Sequence, residues 1–434
     1  MRALLKYLII ISTYAFFVAY SYASVGEMFG LGSRPSSMGN AFTAVPGGAF
    51  GFYYNPGSII FSKDVTAGIG TIYGESNFTN VPGDLILETS TTGDKVRKGG
   101  VDVNYESTKG TVFGLTLPLR KNYPRIAVGG SGYIPFDRLV SVQFEQPYIP
   151  IYPLYSKRTQ RFSFYGGGAV EVLPDLSIGG GVNLFTRLEG NAVMRATTAE
   201  PILVLGINGT PGISPVAGIQ YEKENYGIGL SFKNEAKSTA KIALKPQLTN
   251  IMGGDFSLEW LTAGSYFYDP TQIALGAFST LWNNITLVAD VMFQRWSKFQ
   301  LPYLDIESTG PDLGRSEVRG GFQDTFSPRV GVEYKLNQIS FRGGYQFLPS
   351  PIKLNQTNNL NLLDADKNIY SVGLGYSTAA LFGIIENPVD LDAHFQFHKL
   401  KNSEVTKSPD QVGAPGYPVG GSLYNLGLSL TSYF

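Results

Sequence analysis

Apolar and polar residues alternate along most of the chain after residue 64, in separate stretches of similar length. Alternation with a period of two is typical of a β-strand that has one buried face. Each stretch has about the length that crosses a bilayer when a strand is tilted. The pattern predicts fourteen strands, over residues 65–73, 111–119, 125–134, 161–172, 176–187, 216–223, 226–234, 272–281, 284–295, 328–336, 338–347, 369–376, 388–398 and 424–434.

The connections between these stretches are short and long in turn. Short turns are predicted at residues 120–124, 173–175, 224–225, 282–283, 337 and 377–387. Long loops are predicted at residues 74–110, 135–160, 188–215, 235–271, 296–327, 348–368 and 399–423. A soluble sandwich has no reason to put every long loop on one side, whereas outer-membrane barrels have short periplasmic turns and long outer loops. We therefore predict an all-β fold, a 14-stranded antiparallel transmembrane β-barrel over residues 65–434, in the bacterial outer membrane.

The charged positions indicate which face of each strand points inward. In 284–295, the apolar side chains of Leu287 and Val291 oppose Asp290, and in 388–398 the apolar side chains oppose Asp392 and His394. A charge on the lipid-facing surface near the bilayer midplane costs about 2–4 kcal/mol. We therefore expect the charged faces to line the lumen.

The two ends of the chain carry targeting features. Met1 and Arg2 precede an apolar run over 7–18 and the small-residue site Ser21-Tyr22-Ala23, which predicts a signal peptide at 1–23 with cleavage after Ala23. An uncleaved membrane anchor is the alternative, but no stop-transfer flank follows. The last strand ends at Phe434, and a terminal aromatic residue resembles the signal read by the bacterial barrel-assembly machinery, an expected partner.

Composition excludes several functional classes. Cys is absent, so neither a disulfide nor a thiolate metal site can form. Lys+Arg and Asp+Glu are both 34, and this zero net charge gives no support to nucleic-acid binding. The hydrophobic fraction of 43% resembles that of a soluble protein. A transmembrane barrel can have the same fraction, because its apolar lipid-facing residues alternate with polar lumen-facing residues.

The histidines are the residues that most invite a catalytic or metal-binding interpretation. His394 and His398 are four positions apart, which on a strand is roughly 13 Å, too far to share one ion. Asp390, Asp392 and His394 are closer, but a hydrogen-bonded lumen network explains them better than a metal site. No Gly-x-Ser-x-Gly nucleophile motif occurs. We expect no catalytic residue, no metal and no cofactor, and therefore no enzyme.

Residues 24–64 fit neither a strand nor a helix pattern. Glycine and proline interrupt both periods, as in Pro46-Gly47-Gly48. The segment is nevertheless rich in apolar and aromatic residues, which disordered segments lack. We therefore predict a compact hatch, a plug that lies inside the lumen, over residues 24–64.

This segment resembles the N-terminal hatch of the FadL/TodX family of outer-membrane transporters for long-chain fatty acids and hydrocarbons. In that family a glycine-rich stretch precedes Asn-Pro-Ala, and here Asn55-Pro56-Gly57 stands in that place, with Gly for Ala. The resemblance continues through most of the chain, in the segments 114–119, 127–136, Asp290 with 296–299, 327–334, 341–345 and 349–351.

The resemblance implies a mechanism as well as a fold. The family captures a hydrophobic ligand among its outer loops, passes it to a pocket beside the hatch and releases it sideways where the third strand kinks inward. Gly129, Gly130 and Gly132 would form that kink, since glycine in a strand often marks a bulge, although ordinary strand glycine is the alternative. The expected ligand-binding residues are Phe29, Leu203, Leu205, Trp260 and Leu261.

The leading hypothesis is passive uptake of long-chain fatty acids or other hydrophobic compounds, with outer-membrane lipid as a further expected partner. The alternative is a PorV-like barrel that holds secreted or surface-attached protein partners. Apolar segments at 149–154, 201–207 and 256–261 suit a ligand groove or a partner site equally. A general porin is disfavoured, because an open channel would have no plug.

Overall fold

The computed structural model describes residues 24–81, 105–137, 150–155, 161–186, 209–238, 267–299, 321–354, 361–381, 385–409, 411 and 413–434 with their side chains, and the backbone alone of further strands between them. Fourteen strands form one closed antiparallel barrel. In chain order they are β1 (Thr66–Phe78), β2 (Thr108–Arg120), β3 (Ile126–Pro135), β4 (Ser163–Leu173), β5 (Leu176–Ala196), β6 (Pro201–Lys223), β7 (Tyr226–Lys233), β8 (Thr271–Leu281), β9 (Ile285–Arg295), β10 (Thr325–Leu336), β11 (Ile339–Leu348), β12 (Lys367–Thr378), β13 (Val389–Thr406) and β14 (Gly416–Tyr433).

The barrel closes between its first and last strands. β1 pairs with β14 from Thr66 opposite Tyr433 to Phe78 opposite Gly421. Each of the fourteen predicted stretches falls on one wall strand, so the predicted fold class is confirmed. The first residue of β1 and the last residue of β14 both lie at the end of the barrel that has the tight turns. No helix in the described part of the chain is long and apolar enough to cross a membrane.

Tight turns join the strands on that side, and residues that tolerate left-handed backbone occupy them. Asp175, Asn283 and Asn337 have φ of 66°, 61° and 54°. Asp and Asn adopt this region at less cost than other side chains that carry a Cβ. The low cost of left-handed backbone at Asp and Asn therefore explains why tight turns form at these predicted positions.

The predicted long loops are only partly loops, and several of their bounds were wrong. β5 and β6 remain paired through Pro201 opposite Ala196, so most of 188–215 is a strand hairpin. Within 209–215 the buried positions are the small residues Gly212 and Ser214, so the alternation of apolar and polar residues from which the strands were predicted is weak there. Further strands within the predicted loops are Leu85–Thr89, Lys95–Lys98, Phe144–Glu145, Ala236–Leu244, Gln247–Ile251, Gly254–Asp269, Tyr303–Ser308 and Arg315–Glu317.

The predicted faces of the wall strands are confirmed by burial. Outward apolar side chains such as Leu428 and Val372 are 64% and 57% exposed, as expected for positions that meet lipid. Inward Asp290 and Gln396 are 6% and 0% exposed. The inward polar side chains are buried because residues 24–64, called here the N-terminal segment, pack against them.

The N-terminal segment is short helices joined by irregular chain. The helices are α1 (Val25–Phe29), α2 (Ser33–Ser37) and α3 (Gly51–Tyr54), followed by a 3-10 helix at Pro56–Phe61. Ser24 caps α1, and its Oγ accepts from the backbone N–H of Glu27. The segment runs from the loop side of the lumen to the turn side, where it joins β1.

The predicted signal peptide, residues 1–23, lies outside the described residues apart from the backbone of Val18–Ala19. It stays a prediction.

Candidate functional site

The Asn55-Pro56-Gly57 motif contacts the wall near the turn side. Asn55 is fully buried, and its Nδ2 donates to the carbonyl oxygen of Thr43 at 2.9 Å and to Oε1 of Gln220 at 3.0 Å. Its Oδ1 accepts from the N–H of Gly57 at 2.9 Å, and Ser177 Oγ donates to the carbonyl oxygen of Gly57 at 2.7 Å. The motif therefore joins two parts of the N-terminal segment to β5 and β6.

Asp290 contacts the N-terminal segment from another side of the barrel. Its Oδ2 accepts from the backbone N–H of Thr43 at 3.0 Å. A side chain at Gly276, on the neighbouring strand β8, would lie 2.1 Å from Asp290 Oδ1. Glycine at that position leaves the room in which the carboxylate reaches the segment.

A buried ion network fixes the middle of the segment to three wall strands. Arg34 makes two bonds of 2.9 Å to the carboxylate of Glu333. Arg342 bonds the same carboxylate at 2.5 Å, and its Nη1 bonds Asp392 at 2.6 Å. The half-buried Arg34 and the buried Arg342 thus alternate with two buried carboxylates, so each charge has a partner of opposite sign.

Above this layer, on the loop side, lies a mostly apolar cavity of about 40 Å³. It is lined by Glu27, Met28, Leu154, Tyr155, Gln294, Trp296, Leu348, Pro349, Pro351, Lys367 and His398. The N-terminal segment forms its floor through Met28, and the loops that follow β9 and β11 form its sides. We call it the upper cavity.

Lys367 is the one lysine or arginine among the described residues that line the upper cavity, and it is already neutralised. Its Nζ lies 2.9 and 3.0 Å from the two carboxylate oxygens of Asp364. Tyr155 donates its hydroxyl to the same carboxylate at 3.0 Å. Burial raises the pKa of Tyr155 well above its usual value, so this hydroxyl keeps its proton.

Glu27 is the carboxylate of the upper cavity, and it is also fully partnered. It accepts from Tyr53 at 2.9 Å and from Gln272, and Lys233 Nζ lies 3.4 Å away. Burial alone would raise the pKa of Glu27, but Lys233 and these hydrogen bonds hold it below its usual value. A second, polar cavity of about 20 Å³ lies beside Glu27 and Lys233, with room for one or two water molecules.

An aromatic lid covers the loop side of the barrel. Phe78 stacks on Tyr152 with ring centroids 4.2 Å apart, and Tyr155 packs at 4.8 Å. The Tyr152 hydroxyl donates to the carbonyl oxygen of Gly420 at 3.1 Å, and the backbone of Ile151 pairs with Leu362. The described residues of the apolar segment 149–154 are thus buried in the protein and do not form an exposed patch.

The strand β3 is paired on both sides throughout the predicted kink. Gly129, Gly130 and Gly132 lie opposite Thr116, Leu115 and Phe113 of β2, and opposite Gly167, Gly166 and Phe164 of β4, without a break in register. The rings of Phe113 and Phe164 stack over the outer side with centroids 6.1 Å apart. The wall is closed at these glycines in this structure, and their role in release stays a prediction.

These glycines also allow close packing. A Cβ at Gly130 would lie 2.7 Å from the carbonyl oxygen of Tyr165, and one at Gly132 would lie 2.6 Å from that of Ser163. On the inner side, Ser131 faces the carbonyl oxygen of Ala49 at 3.4 Å. The N-terminal segment therefore lies directly behind this part of the wall.

Among the predicted ligand-binding residues, Phe29 is the one whose side chain the structure describes, and it does not line the upper cavity. Phe29 is buried beside it, and its ring meets that of His398 edge-on at 5.4 Å. The side chains of Leu203, Leu205, Trp260 and Leu261 lie outside the described residues. Sequence reasoning missed Lys367, Asp364 and Tyr155, because no local pattern marks residues that meet only through folding.

The two histidines face the lumen. His394 lies 3.1 Å from Asn425, and His398 lies 3.5 Å from Gln396. Within the described residues, no three His, Asp or Glu side chains gather closely enough to hold a metal ion.

The chain is similar to known outer-membrane proteins along nearly its whole length. Residues 35–423 match the model of the family described as outer membrane protein transport protein (OMPP1/FadL/TodX). The alkane uptake protein A of Marinobacter nauticus is 25% identical over 257 residues, which cover 55% of this chain and 56% of that protein. The chain thus matches little more than half of that relative's length.

Solved structures share the fold at low identity. A FadL homologue from Pseudomonas aeruginosa has a TM-score of 0.59 at 14% identity, covering 96% of this chain and 99% of the other. The toluene transporter TbuX of Ralstonia pickettii has a TM-score of 0.52 at 15% identity, covering 94% and 100%. The toluene transporter TodX of Pseudomonas putida has a TM-score of 0.51 at 13% identity, covering 96% and 99%. With the extent of the family match, this shows that the chain belongs to the outer membrane protein transport protein family (OMPP1/FadL/TodX) and is an outer-membrane β-barrel.

Proposed function

We propose that this protein takes up hydrophobic molecules passively, through capture by the loops, a pocket against the N-terminal hatch and release sideways through the barrel wall. The observation that carries the proposal is the upper cavity, which has a mostly apolar lining and whose lid and floor are both formed by the chain itself. Its volume of about 40 Å³ is a few times that of one water probe, so a ligand enters by displacing the lid.

The charges around the upper cavity favour uncharged substrates over fatty acids. The ammonium of Lys367 is held by both oxygens of Asp364, and the carboxylate of Glu27 is paired with Lys233, so neither ion pair leaves a free cation for an acid. A carboxylate ligand would have to break the Lys367–Asp364 pair, and an uncompensated buried charge is costly. Alkanes or aromatic hydrocarbons need no such exchange. The names of the similar alkane uptake protein and toluene transporters agree with this substrate class.

Substrate class can be tested by replacing both partners of the ion pair. We compare uptake of radiolabelled hexadecane and palmitate by cells that depend on this protein, with the wild type and a Lys367→Met/Asp364→Asn variant. We expect hexadecane to be taken up faster than palmitate, and hexadecane uptake to survive in the variant. Faster palmitate uptake that disappears in the variant would assign the site to fatty acids instead.

Release sideways is supported by the polar floor of the lumen. Below the upper cavity, Asn55, Gln220 and Ser177 form a hydrogen-bonded layer with the backbone of the segment. A hydrocarbon moving down the axis would have to displace these bonds, whereas Gly130 and Gly132 have no side chains and the apolar rings of Phe113 and Phe164 cover them on the outer side. Lipid outside the wall also keeps each methylene away from water, which is worth about 0.8 kcal/mol.

A reversible lock tests this route, because the chain contains no native cysteine. Val128 and Gly168 are register partners on β3 and β4, and opposite residues in a sheet lie within disulfide range. We expect uptake by the Val128→Cys/Gly168→Cys variant to fall on oxidation and to recover on reduction. The matched control is Leu275→Cys/Val291→Cys across β8 and β9. Equal uptake by the oxidised and reduced forms of the β3–β4 lock would reject the sideways route.

A further inference from the structure

A buried carboxylate receives the backbone nitrogen of the first residue after the predicted cleavage site. Ser24 is 2% exposed, and its nitrogen donates to Oδ1 of Asp269 at 3.0 Å. Asp269 is 5% exposed and ends the strand Gly254–Asp269, on the loop side of the lumen. Its other oxygen, Oδ2, accepts from Arg161 Nη2 at 2.6 Å.

Cleavage would change the chemistry of this contact. In the unprocessed chain the nitrogen of Ser24 belongs to a peptide bond and is an uncharged donor. Hydrolysis after Ala23 turns the same atom into an α-ammonium group with a full positive charge. A carboxylate is the partner that a buried ammonium requires, because an isolated buried charge is strongly unfavourable.

We propose that Asp269 is the binding site for the α-ammonium group of Ser24, which forms only when the signal peptide has been removed. The carboxylate of Asp269 then bridges two cations, Arg161 and the new N-terminus. This inference goes beyond the transport function and rests on the predicted cleavage site at Ser21-Tyr22-Ala23.

The surroundings hold Asp269 in place for this role. The guanidinium of Arg161 lies over the ring of Phe267, 3.2 Å from its centroid, so the cation that orients the carboxylate is itself packed. The other nearby carboxylate, Glu27, is engaged by Lys233, Tyr53 and Gln272. Asp269 is therefore the carboxylate that has an oxygen directed at Ser24.

Ser24 is also fixed from its C-terminal side. Its carbonyl oxygen accepts from the N–H groups of Glu27 and Met28 at 3.0 and 3.1 Å. The position of the ammonium is therefore set by α1, and two added residues would move it by about 7 Å. The ion pair between this ammonium and Asp269 would therefore fix the N-terminal segment in the lumen only after the signal peptide has been cleaved.

The test measures how accessible the N-terminus is in the barrel purified from outer membranes. Intact mass should identify Ser24 as the first residue. Modification by 2-pyridinecarboxaldehyde, which reacts with N-terminal α-amines, should be at least about tenfold slower in the folded than in the unfolded barrel, since reaction requires local opening. A different first residue, or equal rates in the two states, would overturn the proposal.

Three substitutions assign the protection to the ion pair. Asp269→Asn should accelerate labelling of the folded barrel at least about tenfold by releasing the N-terminus, whereas Arg161→Gln leaves the carboxylate and should keep the protection. Asp64→Asn, at a side chain that is 53% exposed, is the matched control. Heat-modifiable gel mobility confirms folding. Unchanged labelling of Asp269→Asn, or full loss of protection in Arg161→Gln, would show that Asp269 does not hold the ammonium.

A variant with Gly-Gly inserted before Ser24 covers the case in which Asp269→Asn does not fold. It keeps every side chain and moves only the ammonium. Its N-terminus should be labelled as fast as that of the unfolded barrel. Slow labelling of this variant would show that burial alone protects the amine, against the proposal.

Discussion

The exchange of Asn55 for Asp tests whether the N-terminal segment is seated by the hydrogen bonds of its motif. The substitution changes one NH2 group into an oxygen and preserves the shape of the side chain. In the structure that NH2 group faces three acceptors, the carbonyl oxygens of Thr43 and Ile219 and the side-chain oxygen of Gln220, at 2.9, 3.1 and 3.0 Å. Ionised aspartate would direct an acceptor at each of them.

The size of the effect follows from these contacts. The NH2 group has two protons, so its lost hydrogen bonds cost about 2 kcal/mol at about 1 kcal/mol each, and repulsion between the new oxygen and the three acceptors adds at least about 1 kcal/mol. A loss of about 3 kcal/mol raises the population of an unseated segment roughly a hundredfold. Protonation of the new carboxyl restores one donor, so the effect should be smaller at low pH.

Single-channel recording in planar bilayers is the direct assay, because an unseated segment leaves part of the lumen open to ions. We expect Asn55→Asp to show frequent openings at neutral pH. Asn55→Ala, which leaves acceptors unpaired without adding a charge, should have a smaller effect. Asn283→Asp is the control, since Asn283 lies in an exposed turn with a left-handed φ of 61° that aspartate also tolerates.

Openings of Asn55→Asp as rare as those of the wild type would refute the reasoning. Such a result, with a folded barrel, would mean that the motif is not what keeps the segment in the lumen.

Other predictions concern the same architecture. Glu333→Gln leaves Arg34 and Arg342 without a shared carboxylate, and we expect it to destabilise the folded barrel by about 3–5 kcal/mol in denaturant titration, whereas a loss below 1 kcal/mol would contradict the buried network. Deletion of residues 24–60 should leave a folded barrel with larger ion conductance, and unchanged conductance would mean that the segment does not fill the lumen. A cysteine at Lys401 should be labelled from outside intact cells and one at Asn225 should not; the reverse pattern would invert the topology.

The wall strands of the barrel could be predicted from the sequence because one face of each strand meets lipid and the other faces the lumen. Leu426 and Leu428 meet lipid while Asn425 and Ser429 are buried in the lumen, so the pattern of the chain reports the fold directly. The pattern fails where lipid is absent. Residues 188–196 and 201–215 continue the strands of the wall, but Ile213 is the one large aliphatic or aromatic side chain among the described residues 209–215, so the alternation of apolar and polar residues fades there.

The upper cavity could be predicted only in outline. Trp296 and the Pro349-Ser350-Pro351 segment lay within the stretches that resemble the FadL/TodX family, and Trp296, Pro349 and Pro351 line the cavity. The pairing of Arg34 with Glu333, 299 positions apart, has no local signature. Such contacts depend on the path of the segment through the lumen, which neither periodicity nor turn chemistry encodes.

The lengths of β5 and β6 determine where the protein first meets its surroundings. These strands have 21 and 23 residues, so they are about 70 Å long, and at a tilt of about 45° they rise about 50 Å, against a hydrocarbon core of about 30 Å. The tight turns at their other ends put this excess height on the loop side of the barrel. Their hairpin therefore extends about 20 Å beyond the hydrocarbon core on that side, where Pro201 pairs with Ala196. A molecule that approaches the barrel from the loop side reaches this hairpin before it reaches the lipid.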